Sequence, residues 1–204
     1  MTPKQIELLN VGRKTICAES AALMIAERML GEEFVRAVEL ILECRGRVIL
    51  SGMGKSGHIA RKIAATMTST GTPALFLHPA EAAHGDMGII AREDVVVVLS
   101  YSGQTDELHN VVEYARKQGN RLIAITGSSA SYLATSADVH LRIEVTADDS
   151  SLGIVPTASA VVELALGDAM AMALAEARGF KAEDFANLHP GGYIERRVLE
   201  SKEK

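Results

Sequence analysis

Five short runs, RVILSG, PALFLH, DVVVVLS, RLIAIT and DVHLRIEV, recur between residues 47 and 145 and limit the possible folds more than any other feature. Each is a continuous apolar stretch rather than an alternation of apolar and polar residues, which is the pattern of strands covered on both faces. Such strands belong to a parallel sheet, whose connections must be helical crossovers. The intervening segments supply them: helical patterns cover residues 56–69, 105–118 and, briefly, 131–136. The expected fold class is α/β, a three-layer sandwich with a five-stranded parallel sheet and helices on both faces.

Two helices are expected ahead of the sheet. Thr2 and Gln5 have capping-box spacing around Pro3, and Ile6, Leu9, Ile16 and Leu23 follow at broadly helical intervals, predicting a helix to about Leu30. A second runs from about Glu32 to Cys44 and ends near Gly46. After the fifth strand, IVPTASAVVELALGDAMAMALAEARGF is long and apolar enough to suggest a membrane span, but Glu163 and Asp168 interrupt it at real energetic cost. It reads as a buried or interfacial helix with Pro156 in its first turn and Gly179 as its stop. Residues 1–204 form one expected domain, with N-terminal helices over about 3–44 and an αβ core over about 47–192.

The formal charge of −5 and the isoelectric point near 5.7 argue against a nucleic-acid or membrane-surface partner. Any anionic ligand must be held by a local field. Cys17 and Cys44 fall in helical patterns without metal-ligand spacing and read as small buried hydrophobes, not a disulfide, in a reducing compartment. The N-terminus has no unbroken apolar core of the signal-peptide kind, so a cytoplasmic protein is expected.

SGMGKSG, residues 51–57, has three readings. A nucleoside-triphosphate P-loop needs a glycine five residues before Gly54, where Ile49 stands inside a strand. A dinucleotide turn needs an acid at the end of the second strand, which instead ends Leu77-His78-Pro79. What remains is a glycine-permitted turn whose amides, with Ser56 at a helix start, can hold another phosphate. SYSGQT, after the third strand, supplies a second cluster: the Ser100 and Ser102 hydroxyls, Gly103 to relax the turn and Thr105 at the next helix start. Taken singly these are ordinary caps; taken together they describe a cradle for a monophosphate.

GMGKSGHIARKIAATMTSTGTP, HPAEAAHGDMG, SYSGQTDEL, LGIVPTASA and RGFKAEDFANLHPGG resemble the sugar isomerase (SIS) domain of the D-arabinose 5-phosphate isomerases, from about Val48 to Gly192. The resemblance implies a flavodoxin-like domain that interconverts D-ribulose 5-phosphate and D-arabinose 5-phosphate through a cis-enediol(ate), feeding octulosonate synthesis for lipopolysaccharide or capsule. It implies no cofactor, no required metal, and a homotetramer with active sites at subunit interfaces. Family members usually carry a C-terminal pair of cystathionine β-synthase-type domains. This chain ends soon after HPGG in ESKEK, so a form without the pair is expected.

The resemblance assigns catalytic roles to Lys55, Glu107, Asp148 and His189, with Asp148 standing where the family pattern has a glutamate. It assigns substrate contacts to Gly54, Ser56, Gly71, Thr72, His78, His84, Ser100, Ser102, Gln104 and Thr105. His78 and His84 suit sugar hydroxyls, and His78 is a possible adventitious zinc site. His58, His109 and His140 have no such context and read as structural or exposed. Ketose–aldose isomerisation needs a base, a proton shuttle between oxygens and stabilisation of an oxyanion, all available from this set. Two alternatives stay open: isomerisation of another phosphosugar, as by 6-phospho-3-hexuloisomerase, and a non-catalytic phosphosugar sensor.

Overall fold

Thr2 opens the first helix as its spacing predicts: the Thr2 amide donates to Gln5 Oε1 at 2.7 Å, and the Gln5 amide donates to Thr2 Oγ1 at 3.3 Å. In the computed structural model, which describes residues 1–145 and 155–190, this helix is α1, Pro3–Met29, and α2 follows at Glu32–Leu42. The core is then β1 Val48–Gly52, α3 Gly54–Ser69, β2 Ala74–Leu77, α4 Pro79–Ala82, β3 Val95–Leu99, α5 Asp106–Gln118, β4 Arg121–Thr126, α6 Tyr132–Ser136 and β5 Val139–Arg142. The long apolar helix is α7, Ala158–Ala177, and α8 is Ala182–Asn187.

The strands form one parallel sheet in the order β2-β1-β3-β4-β5. β1 and β3 are wholly buried, as their continuous apolar sequences require. Val95, Val97 and Leu99 face one core with α1, α2, α3 and α7, whereas Val96 and Val98 face another with α4, α5 and α6. The helices therefore form layers on both faces, and the three-layer expectation holds. α3 after β1 and α5 after β3 lie on opposite faces, which opens a crevice at the carboxyl ends of these two adjacent strands.

Several local expectations need correction. α3 starts at Gly54 rather than Ser56, because Gly54 takes a positive φ of 58° that lets the chain enter the helix one residue after Met53. α7 begins at Ala158 with Thr157 as its N-cap, so Pro156 precedes the helix. Gly179 does stop it, at φ 66°. By length and composition α7 could cross a membrane, yet it packs on α1, α2 and α3 and buries Glu163. Both cysteines are free, but Cys17 is exposed, since α1 buries only Ala22 and Ala26 near its C-terminal end. Cys44 lies beyond α2, half-buried, with its thiol donating to the Glu93 carbonyl at 3.2 Å.

Candidate active site at the carboxyl ends of β1 and β3

The first loop is as short as its glycines allow. A Cβ on Gly57 would stand 2.5 Å from the Gly52 carbonyl oxygen, so α3 sits directly on the end of β1. Met53, the N-cap residue, makes no side-chain bond to the first turn, whose amides point toward the crevice. Gly54 and Lys55 are exposed in that turn, which puts a cation beside the helix start. Ser56 is half-buried and its hydroxyl donates to Glu163 Oε1 on α7 at 3.0 Å.

The second loop lies alongside, because Gly52 pairs with Leu99 in the sheet and SYSGQT begins at the next residue. Its hydroxyls form a compact network. Ser100 Oγ lies 2.7 Å from Thr105 Oγ1 and 3.3 Å from Ser102 Oγ, and it accepts from the Gly103 amide at 3.1 Å. Ser102 Oγ accepts from the Gln104 amide at 3.2 Å. Thr105 occupies the N-cap position of α5 but makes no capping bond; its hydroxyl turns to Ser100 instead. Ordinary capping therefore does not account for Thr105. Gly103, at φ 65°, is pressed against the Ser131 side chain and leaves no room for a Cβ. Ser131 is held by the Ser128 carbonyl at 2.7 Å, and the neighbouring Thr126 hydroxyl lies 2.8 Å from His140 Nε2. Burial lowers the His140 pKa below the usual histidine value, as suits a structural group. Ser102, Gln104 and Glu107 are exposed at this edge, Glu107 in the first turn of α5.

His78 and His84 also follow a strand. His78 is the N-cap residue of α4, with a buried Nδ1 that has no hydrogen-bond partner among the described residues, and it lines a cleft of about 510 Å³ with Arg61, Phe76, Gly85 and Asp86. His84 is exposed nearby in the chain. Among the described residues, no three His, Cys, Asp or Glu side chains gather as metal ligands. His58 is exposed and the His109 ring packs at a tilt of 51° on Tyr132, centroids 4.1 Å apart.

Not all predicted residues meet at this edge. Gly71 and Thr72 precede β2 and therefore lie at the opposite end of the sheet, Thr72 almost wholly buried. The Phe180 ring rests on Gly71, and Arg178 donates to the Ile41 carbonyl, so the segment leading into α8 also starts from that end. His189 follows α8, stacked on Phe185 at 4.2 Å with Nδ1 2.8 Å from the Phe185 carbonyl. A carbonyl only accepts, so Nδ1 carries the proton and Nε2 of the neutral ring is the acceptor. Asp148 lies outside the described residues.

One polar residue at the edge is not singled out for function by its sequence. Glu163 is 1% exposed, its Oε2 has no hydrogen-bond partner among the described residues, and its pKa is pushed up to about 7, by burial first and against the Ser56 hydrogen bond. Its only sequence signal is an acid in the middle of an apolar helix, and that reads equally well as a mere interruption.

The family model for the SIS domain matches residues 41–173. Arabinose 5-phosphate isomerase KdsD of Pseudomonas aeruginosa is 48% identical over 196 residues, which are 96% of this chain and 60% of the relative. Arabinose 5-phosphate isomerase GutQ of Escherichia coli K12 is 47% identical over 192 residues, 94% of this chain and 60% of the relative. The chain thus spans about three fifths of the length of these curated relatives. A solved structure of an E. coli CFT073 protein in complex with arabinose 5-phosphate superposes with a TM-score of 0.88 at 39% identity, covering 93% of this chain and 100% of that one.

Proposed function

This chain belongs to the SIS domain family, and on that premise we propose that it is an aldose–ketose isomerase interconverting D-ribulose 5-phosphate and D-arabinose 5-phosphate. The observation that carries the reading is the adjacency of the two phosphate-type loops across β1 and β3, in a chain so similar to isomerases named for that substrate. The Ser100, Ser102 and Thr105 hydroxyls and the α3 amides hold the phosphate. Lys55 adds the local positive charge that an acidic protein otherwise lacks.

With the phosphate fixed, the sugar carbonyl end reaches the proton-transfer groups. A base removes the proton from C1 of the ketose, and the electron pair forms the C1–C2 double bond of a cis-enediolate. The proton returns at C2 while O1 becomes the aldehyde oxygen and O2 a hydroxyl, so no net proton is gained or lost. Glu107 is the carboxylate of this transfer, and Lys55 steadies the oxyanion. His189, through Nε2, moves the proton between O1 and O2, with Asp148 as a second acid. His78 and His84 contact sugar hydroxyls.

The reading includes a cytoplasmic homotetramer that serves octulosonate synthesis. Its active sites lie between subunits, each using the β1–β3 edge of one chain and Gly71, Thr72 and His189 of another. Gly71 and Thr72 lie at the opposite end of the sheet from the β1–β3 edge, and the segment leading toward His189 starts there with Phe180 on Gly71, which supports that arrangement.

Proton NMR of D-ribulose 5-phosphate with the protein in deuterium oxide tests the activity. The expected outcome is D-arabinose 5-phosphate carrying deuterium at C2. Resonances that broaden on binding without any product would replace the isomerase by a phosphosugar sensor.

A further inference from the structure

Among the described residues, Glu163 is the buried acid at the candidate site's edge that the proposed mechanism leaves unused. Its carboxyl group projects from α7 to the hydroxyl of Ser56, in the loop that is read as cradling phosphate. Ser56, in the first turn of α3, remains half-exposed, while Glu163 is closed off from solvent.

The hydrogen bond can run in two directions. When Glu163 is ionised it can only accept, so the Ser56 proton is committed to Oε1 and the hydroxyl faces a ligand with lone pairs alone. When Glu163 is protonated, Ser56 Oγ is the acceptor available to the carboxyl proton, because Oε2 has no partner among the described residues. The Ser56 proton is then released to donate elsewhere. A phosphate dianion favours the second arrangement twice over: it needs donors, and its charge opposes a carboxylate close by.

We propose that Glu163 is a positioning residue whose proton turns the Ser56 hydroxyl toward the phosphate of the substrate, so that phosphosugar and proton bind together. This rests on the reading of the loop as a phosphate cradle. Among the described residues, the surroundings of Glu163 leave its titration to burial and Ser56. On α3, Lys55, His58, Arg61 and Lys62 occupy exposed positions, and Lys62 is paired with Asp168 of α7. Glu32, Glu33, Arg36 and Glu39 of α2 are exposed, as are Lys4, Glu7, Arg13, Lys14, Glu27 and Arg28 of α1, where Glu19 is half-buried. None of these charges enters the shift of the Glu163 pKa to about 7, which places the proton in the working range.

The test is calorimetric titration with D-arabinitol 5-phosphate, which keeps the phosphate and hydroxyls but has no carbonyl to isomerise. Between pH 6.5 and 8.5 the probe is mostly dianionic, so its own titration contributes little. The wild-type Kd should rise about tenfold across this interval, and buffers of different ionisation enthalpy should report proton uptake at pH 7.5. In Glu163→Gln the Kd should change less than about twofold over the same range, with the uptake lost. Glu163→Ala, in an alanine-rich helix, is the second variant and should also lose the pH dependence. A merely structural role would alter Kd equally at both pH values, and that result, or uptake that persists in the variants, overturns the proposal. Turnover of D-arabinose 5-phosphate is followed in parallel. Proton-linked binding without turnover removes the isomerase and keeps the linkage; turnover with identical pH dependence in all three proteins, or with no binding of the probe, removes the linkage alone; neither binding nor turnover removes both.

Discussion

Ser102 and Glu107 stand five residues apart, yet the proposed roles separate them cleanly by kinetics. Ser102 faces the crevice with its hydroxyl already accepting from the Gln104 amide, so it is fixed before any ligand arrives. Ser102→Ala should raise KM with little change in kcat, since the lost contact is made equally in ground and transition states. Glu107→Gln keeps shape and hydrogen bonding but cannot take a proton, and should lower kcat by about a hundredfold or more. Steady-state kinetics on both variants checks the pair; an unaltered kcat in Glu107→Gln would move the base elsewhere. Residues at strand ends are legible in the sequence because short loops have few ways to run. The role of Glu163 is not, because an acid in an apolar helix says nothing of which hydroxyl it will meet across 107 residues of chain.

Helix α1 illustrates what an element's pattern conveys and what it withholds. Its start is readable from a capping box that is wholly local, and the sheet is readable from five apolar runs. Helical spacing cannot say which faces find a neighbour, which is why Cys17 reads as buried and is exposed. Ile6, Leu9 and Ile16 on the same helix are 47%, 40% and 65% exposed, an apolar surface without cover among the described residues. Burying the exposed half of such a side chain against another subunit is worth on the order of 1 kcal/mol each, and α1 is therefore the element expected to do so in the proposed tetramer. Leu9→Lys combined with Ile16→Lys should reduce the assembly to smaller species while the fold persists. Light scattering together with circular dichroism reads both; a mass equal to that of the wild type would exclude α1 from the interface.

At the scale of the molecule, the sheet separates the predicted residues into two groups. Lys55, Ser56, Ser100–Thr105 and Glu107 lie beyond the carboxyl ends of the strands, whereas Gly71, Thr72 and the approach to α8 lie at the amino ends. Sequence motifs could name both groups but not their separation, which follows from the alternation of parallel strands and returning helices. If one site draws on both groups from different chains, Glu107→Gln and His189→Ala are defective in different halves. Mixed after mild dissociation, the two inactive proteins should regain up to about a quarter of wild-type turnover, by random pairing of intact halves with each catalytic residue lost in half the chains. Activity assays on the mixture and on each variant alone check this; no recovery would put the complete site within one chain. Each subunit then resembles a plug and a socket facing opposite ways, complete only in company. Its output cannot be proportional to the number of molecules at every dose. On serial dilution the rate per milligram should collapse below a threshold concentration, so that the cell could silence the reaction simply by making too little of the protein.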